Sequence, residues 1–154
     1  MKDTIEKANE ELKRVDHLFY VSLKYTKTVD VIKSIIERLI NAFEFSIDSL
    51  FLYMQKKKKI KDIPKDPVTK CIEIKKLFKD DKQFLDDIDL YILLRKLNKA
   101  DYTVAREFRK HVTMTAAVED KLIDVNIDII QEYFERVKNF VEKAYNLIHK
   151  IKNE

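Results

Sequence analysis

Apolar positions recur at three- and four-residue spacing along most of the chain, the period of an amphipathic helix. Ile5, Ala8, Leu12, Val15, Leu18 and Phe19 form a first stripe, capped by Asp3 or Thr4 and running to about Lys24. Thr28 or Asp30 opens a longer stripe through Val29, Ile32, Ile35, Ile36, Leu39, Ile40, Phe43, Ile47, Leu50, Phe51 and Met54. Ala42, Phe45 and Leu52 widen it. A stripe that wide predicts a central helix touching more than one neighbour. It ends in Gln55 followed by Lys56 to Lys59, and cations suit the negative end of a helix dipole.

The segment from Lys61 to Pro67 holds both prolines and reads as a loop. Asp66 before Pro67 is a helix cap followed by a first-position proline. Val68, Cys71, Ile72, Ile74, Leu77 and Phe78 predict a short third helix, and Asp80-Asp81 starts a fourth that carries Phe84, Leu85, Ile88, Tyr91, Ile92, Leu94 and Leu97. A fifth element begins at Asp101 or Thr103, with Tyr102, Ala105, Phe108 and Val112 on one side at helical spacing. The pattern then changes. Thr113, Thr115 and Val125 belong to a partly β-branched stretch over 112–125, which reads as either a small hairpin or a loop. Asn126 caps a last helix from Ile127 to the end of the sequence. The expectation is an all-α fold: one domain over 1–154, an antiparallel bundle of five to six helices joined by short connections.

Composition narrows the chemistry. There is no glycine, there are two prolines, and 38% of residues are charged. Phosphate loops and dinucleotide fingerprints need glycine for close backbone approach, so both are excluded. A net charge of +4 serves solubility first and nucleic acid second. A chain rich in Lys and poor in Gln points to a heat-adapted or AT-rich source. Cys71 is the one cysteine. It excludes an intrachain disulfide, fits a reducing cytoplasm, and reads as a buried thiol. No signal segment or membrane span is expected.

Most titratable groups have plain readings. His17 and His149 read as boundary or helix-end residues, and Asp86, Asp87 and Asp89 as a solvated helix face. No histidine has the spacing of a zinc or di-iron site, so no metal or cofactor is expected. His111 differs through its neighbourhood, Ala105-Arg106-Glu107-Phe108-Arg109-Lys110-His111. Histidine titrates near neutrality and serves as base or acid. Arginine offers phosphate oxygens a planar fork of donors and stays charged. Glu107 is close enough to orient either. Arg109, Lys110 and Tyr102 are candidate substrate contacts, the tyrosine by stacking on a base. Lys56–Lys59 and Lys61 are candidate phosphate contacts. Positions five apart lie about 140° apart around a helix, so Arg106 and His111 cannot share one regular face. Either the helix ends near Lys110, or the groups meet across a dimer axis. A plainer reading makes Arg106, Glu107, Arg109 and Lys110 an ion-paired helix face that His111 terminates.

Arginine, four residues, then histidine resembles the R-x4-6-H motif of the HEPN domains, which are all-helical ribonucleases and nucleotide-binding modules. As in that family, one more long helix follows. The resemblance implies a homodimer with Arg106 and His111 of both chains in one cleft, and metal-independent RNA cleavage. It also implies pairing with a nucleotidyltransferase-type antitoxin. Glu107 stands where the family often has a small polar residue, and Thr113 where its toxin subgroup has tyrosine. The competing expectation is a helical adaptor that dimerises or binds a partner protein without catalysis.

Overall fold

The computed structural model describes residues 2–150. Helix α1 spans Lys2–His17 and runs on through a wide π turn, Leu18–Ser22, into a last α turn, Leu23–Tyr25. The buried stripe explains that turn. Ile5, Ala8 and Val15 are fully buried and the next buried residue is Leu23, eight positions after Val15 rather than seven. A π turn takes up one extra residue and returns the stripe to the core.

Helix α2, Val29–Lys56, is the central element that the wide stripe predicts. It packs against α1 on one side and the last helix on the other, and also meets the helices between. Thr28 caps it by accepting from the Val31 amide at 3.4 Å. At its far end Lys58 adopts φ 61°, the left-handed conformation that usually falls to glycine after a helix. A chain without glycine fills that position with lysine.

Helix α3, Pro67–Leu77, starts as expected: the Asp66 carboxylate accepts from the Thr69 amide and hydroxyl, each at 2.9 Å. Helix α4, Lys82–Lys99, is capped by Asp81, which accepts from the Phe84 amide at 3.0 Å. Helix α5, Ile127–Lys150, is capped by Asn126, which accepts from the Ile129 amide at 2.9 Å. Phe43, Tyr91, Phe84 and Phe140 meet with their rings tilted by 41 to 52° where α2, α4 and α5 converge, with ring centroids 4.8 to 5.5 Å apart.

The fold is mostly helical, with five helices among the described residues, but a small sheet corrects the all-α expectation. Strands β1 (Tyr102–Ala105), β2 (Thr113–Val118) and β3 (Lys121–Val125) form an antiparallel meander in the order β1-β2-β3. The 112–125 stretch is therefore a hairpin. Its turn places Glu119 at φ 56° in a position that glycine would favour. Residues 101–105 do not begin a helix. The apparent stripe there was thin, since of Tyr102, Ala105, Phe108 and Val112 only Val112 is buried. Its aromatic and β-branched residues instead pair with β2, Tyr102 opposite Ala116 and Val104 opposite Met114. Val112, Met114, Ala116, Val118 and Val125 carry the sheet's inner face into the core. Strand β1 overhangs it, with all four residues exposed.

Two acidic residues are buried, and one of them departs from expectation. Asp87, read as part of a solvated face, is 3% exposed. It accepts from Gln83 at 3.0 Å and pairs with Arg136 of α5 at 3.3 Å. Burial pushes its carboxyl above the usual range against the pull of those partners. Glu11 of α1 is buried and held by Arg14 at 2.8 Å and by Arg38 of α2 at 3.3 Å.

Candidate nucleic-acid interface

The six candidates of the motif and its surroundings, Tyr102, Arg106, Glu107, Arg109, Lys110 and His111, fall on β1 or on the loop that joins it to β2. That loop is short, free of glycine and internally bonded. The Arg109 amide donates to the Arg106 carbonyl at 3.3 Å, and the Val112 amide to the Arg109 carbonyl at 3.0 Å. Arg106 has φ 56° and Phe108 φ 66°. Left-handed backbone costs a bulky residue on the order of 1 kcal/mol or more, so the surroundings must hold it there.

Two contacts to the start of α2 do so. The Phe108 amide donates to the Lys27 carbonyl at 2.6 Å. The Glu107 carboxylate accepts from the Val29 amide at 3.3 Å, and a carboxylate there also suits the positive end of the helix dipole. Glu107 is thus engaged with α2 and does not orient His111 or an arginine. With Thr28 on the Val31 amide, two first-turn donors of α2 are satisfied by side chains.

Apart from the buried Val112, the other side chains of the loop face solvent. Arg106, Arg109, Lys110 and His111 are exposed, and none of their side chains makes an ion pair or hydrogen bond among the described residues. No hydrogen bond joins Arg106 to His111. The ion-paired helix face is thereby replaced by a strand-to-strand loop of unpaired cations. Phe108 stands at its centre, 73% exposed.

The neighbouring surface continues the pattern. Tyr25, at the end of α1, is 78% exposed and lies under the Lys24 ammonium at 5.9 Å. Tyr102 on β1 is covered by the Lys33 ammonium of α2 at 4.6 Å. Tyr25 and Phe108 carried no legible signal of function, because in a helical reading each looks like one more apolar position. Lys56–Lys59 are also exposed, at the opposite end of α2.

Other candidates have structural roles. Cys71 is buried, and burial pushes its thiol above the usual range. His149 stacks on Tyr145, with ring centroids 3.9 Å apart. Among the described residues no group of three His, Cys, Asp or Glu side chains is arranged to hold a metal ion, and no described helix is long and apolar enough to cross a membrane. No family model, curated protein or solved structure matches the chain.

Proposed function

We propose that this chain binds single-stranded RNA through the tip of the β1–β2 hairpin and the adjoining end of α1. The observation that carries this reading is the loop itself: four unpaired basic or titratable side chains around an exposed phenylalanine, on a backbone pinned to α2 at two points. Proteins that bind single strands combine cations for the phosphates with aromatic faces on which bases stack. Arg106, Arg109 and Lys110 supply the first, and Phe108, Tyr25 and Tyr102 the second. The pinned backbone limits the ordering entropy that binding costs.

Binding is favoured over cleavage for an electrostatic reason. A phosphorane is stabilised best by donors preorganised in a water-excluded site. Within one chain Arg106 and His111 are solvated and not joined. Metal-independent cleavage, as the likeness to HEPN domains implies, therefore needs a second copy to close over the loop and bring both groups onto one phosphate. His111 of one copy would then take the 2′-OH proton as the 2′-oxygen attacks phosphorus, His111 of the other would give a proton to the leaving 5′-oxygen as its bond to phosphorus breaks, and Arg106 would hold the non-bridging oxygens.

One experiment addresses both steps. A labelled oligouridine is titrated with the protein in EDTA at several salt concentrations. Replacing Arg106, Arg109 and Lys110 together by Ala should weaken binding at least tenfold and flatten the log–log salt slope by about two, at roughly 0.7 per phosphate contact. Phe108→Ala should cost about 1–3 kcal/mol of affinity at unchanged salt slope. Affinity untouched by the triple substitution sinks the reading. Products ending in 2′,3′-cyclic phosphate, lost in His111→Ala, would extend it to cleavage.

A further inference from the structure

A second surface lies away from the β1–β2 tip, in the groove between α3 and α4. It holds a cavity of about 340 Å³ lined by the buried Cys71, by Ile92, and by the cations Lys75, Arg95 and Lys99. The α3 wall is apolar and open: Val68 is 66% exposed and Ile72 51%. These two are one turn apart, so their side chains form one ridge. Arg95 and Lys99 are likewise one turn apart on α4, about 6 Å along its axis.

The cations of this rim are not equivalent. Lys75 pairs with Asp89 at 2.5 Å, and the neighbouring Lys96 with Glu119 at 2.7 Å. Lys99 has no carboxylate partner among the described residues, and Arg95 rests only over the ring of Tyr91, 5.9 Å away. No carboxylate lines the cavity. The groove thus presents an apolar ridge on one side and two uncompensated positive charges on the other.

We infer that this groove docks an acidic amphipathic helix of a partner protein. Helix-in-groove recognition lays an apolar stripe into a trough and reads it at turn spacing. The matching helix carries two large apolar residues one turn apart, to cover Val68 and Ile72. It also carries two carboxylates one turn apart on the adjoining face, for Arg95 and Lys99. A slender amphiphile fits less well, because the most exposed apolar groups stand on the wall rather than inside. Covering them takes a body about 10 Å wide, the width of a helix. The site is independent of the hairpin tip, so a protein partner and RNA can be held together.

The test uses the full chain and a pair of labelled helical peptides of about sixteen residues. One carries two Leu and two Glu in the pattern above, and the other has Lys in place of Glu. The Glu peptide should bind at least about tenfold tighter than the Lys peptide. Ile72→Asp should weaken it about tenfold. Arg95→Glu with Lys99→Glu should reverse the preference, so that the Lys peptide now binds more tightly. That reversal is a gain which loss of folding cannot mimic. Amide shifts on adding the Glu peptide should centre on residues 68–75 and 92–99. Equal binding of the two peptides, no binding of either, or shifts elsewhere would overturn the inference. So would saturable binding of decanoate at the groove without peptide binding, or a dimer of this chain that the charge reversals dissociate.

Discussion

The helical bundle and the β1–β2 hairpin tip are built from one glycine-free alphabet to opposite ends. In the bundle most apolar residues of α2 are buried, and the buried carboxylates and the buried tyrosine hydroxyl are tied down. Asp87 has Arg136 and Gln83, Glu11 has two arginines, and the Tyr91 hydroxyl donates to Glu44 at 2.8 Å. At the tip Tyr102, Val104 and Phe108 stay exposed, the cations lack partners, and two residues of the loop sit in left-handed backbone. A bundle can be stable while an appendage of four-residue strand and short loop contributes little burial. Strain and unsatisfied charge collect where they do not threaten the fold, and those are the properties a binding surface uses.

The largest effect should come from the bundle. Phe43→Ala removes a fully buried ring at the meeting point of α2, α4 and α5 and should cost about 3–5 kcal/mol. Chemical denaturation should show it directly, and a loss below 1 kcal/mol would mean that the core is not centred there. Phe108→Ala, the same change at the tip, should leave stability within about 0.5 kcal/mol.

Caps come next. Asp81→Ala should cost about 1 kcal/mol at pH 7 by freeing the Phe84 amide. The Lys143 ammonium, then that amide, hold the Asp81 carboxyl below its usual range. A depressed carboxyl stabilises the fold above its unfolded-state pKa, and that stability is lost as pH falls through the folded value. The difference between wild type and variant should therefore vanish in strong acid. Asp87 has the opposite sign. Its raised carboxyl costs stability once it ionises, as pH climbs from the unfolded value through the folded one. Asp87→Asn should flatten that decline, and an unchanged pH profile would show that Arg136 fully offsets the burial.

At the joint between the two regions, Glu107→Ala should cost a few tenths of a kcal/mol up to about 1, since Thr28 still caps α2. Its clearer signature should be faster amide exchange at Val29 and Phe108. The smallest change runs the other way. Arg106→Gly relieves left-handed strain and should be neutral or stabilising by up to about 1 kcal/mol, while weakening RNA binding. Destabilisation by that substitution would show that the arginine holds the loop rather than serving it.

The sequence made the bundle legible because burial there is periodic. The caps at Thr28, Asp66, Asp81 and Asn126 were readable as local chemistry. The tip was misread because three- and four-residue spacing of Tyr102, Ala105, Phe108 and Val112 imitates a helix when burial is unknown. Without glycine, no residue marked the left-handed positions at Arg106 and Phe108. Asp87 was hidden among exposed acids because its inward turn depends on Arg136, far away in sequence. The role of Glu107 likewise depends on α2, which only folding brings beside it.

The π turn of α1 ties these regions together mechanically. It holds one residue of slack between a helix locked to α2 and the Lys27 carbonyl that anchors Phe108. Removing a single residue between Leu18 and Ser22 would leave an ordinary helix in the same phase, so the bundle should tolerate it. Tightening the turn to α pitch at full length would swing Leu23 about 100° out of the core. Tyr25 and the Lys27 anchor would rotate with it. The segment acts as a vernier, setting the angle at which α1 delivers Tyr25 and the Lys27 anchor to the β1–β2 tip.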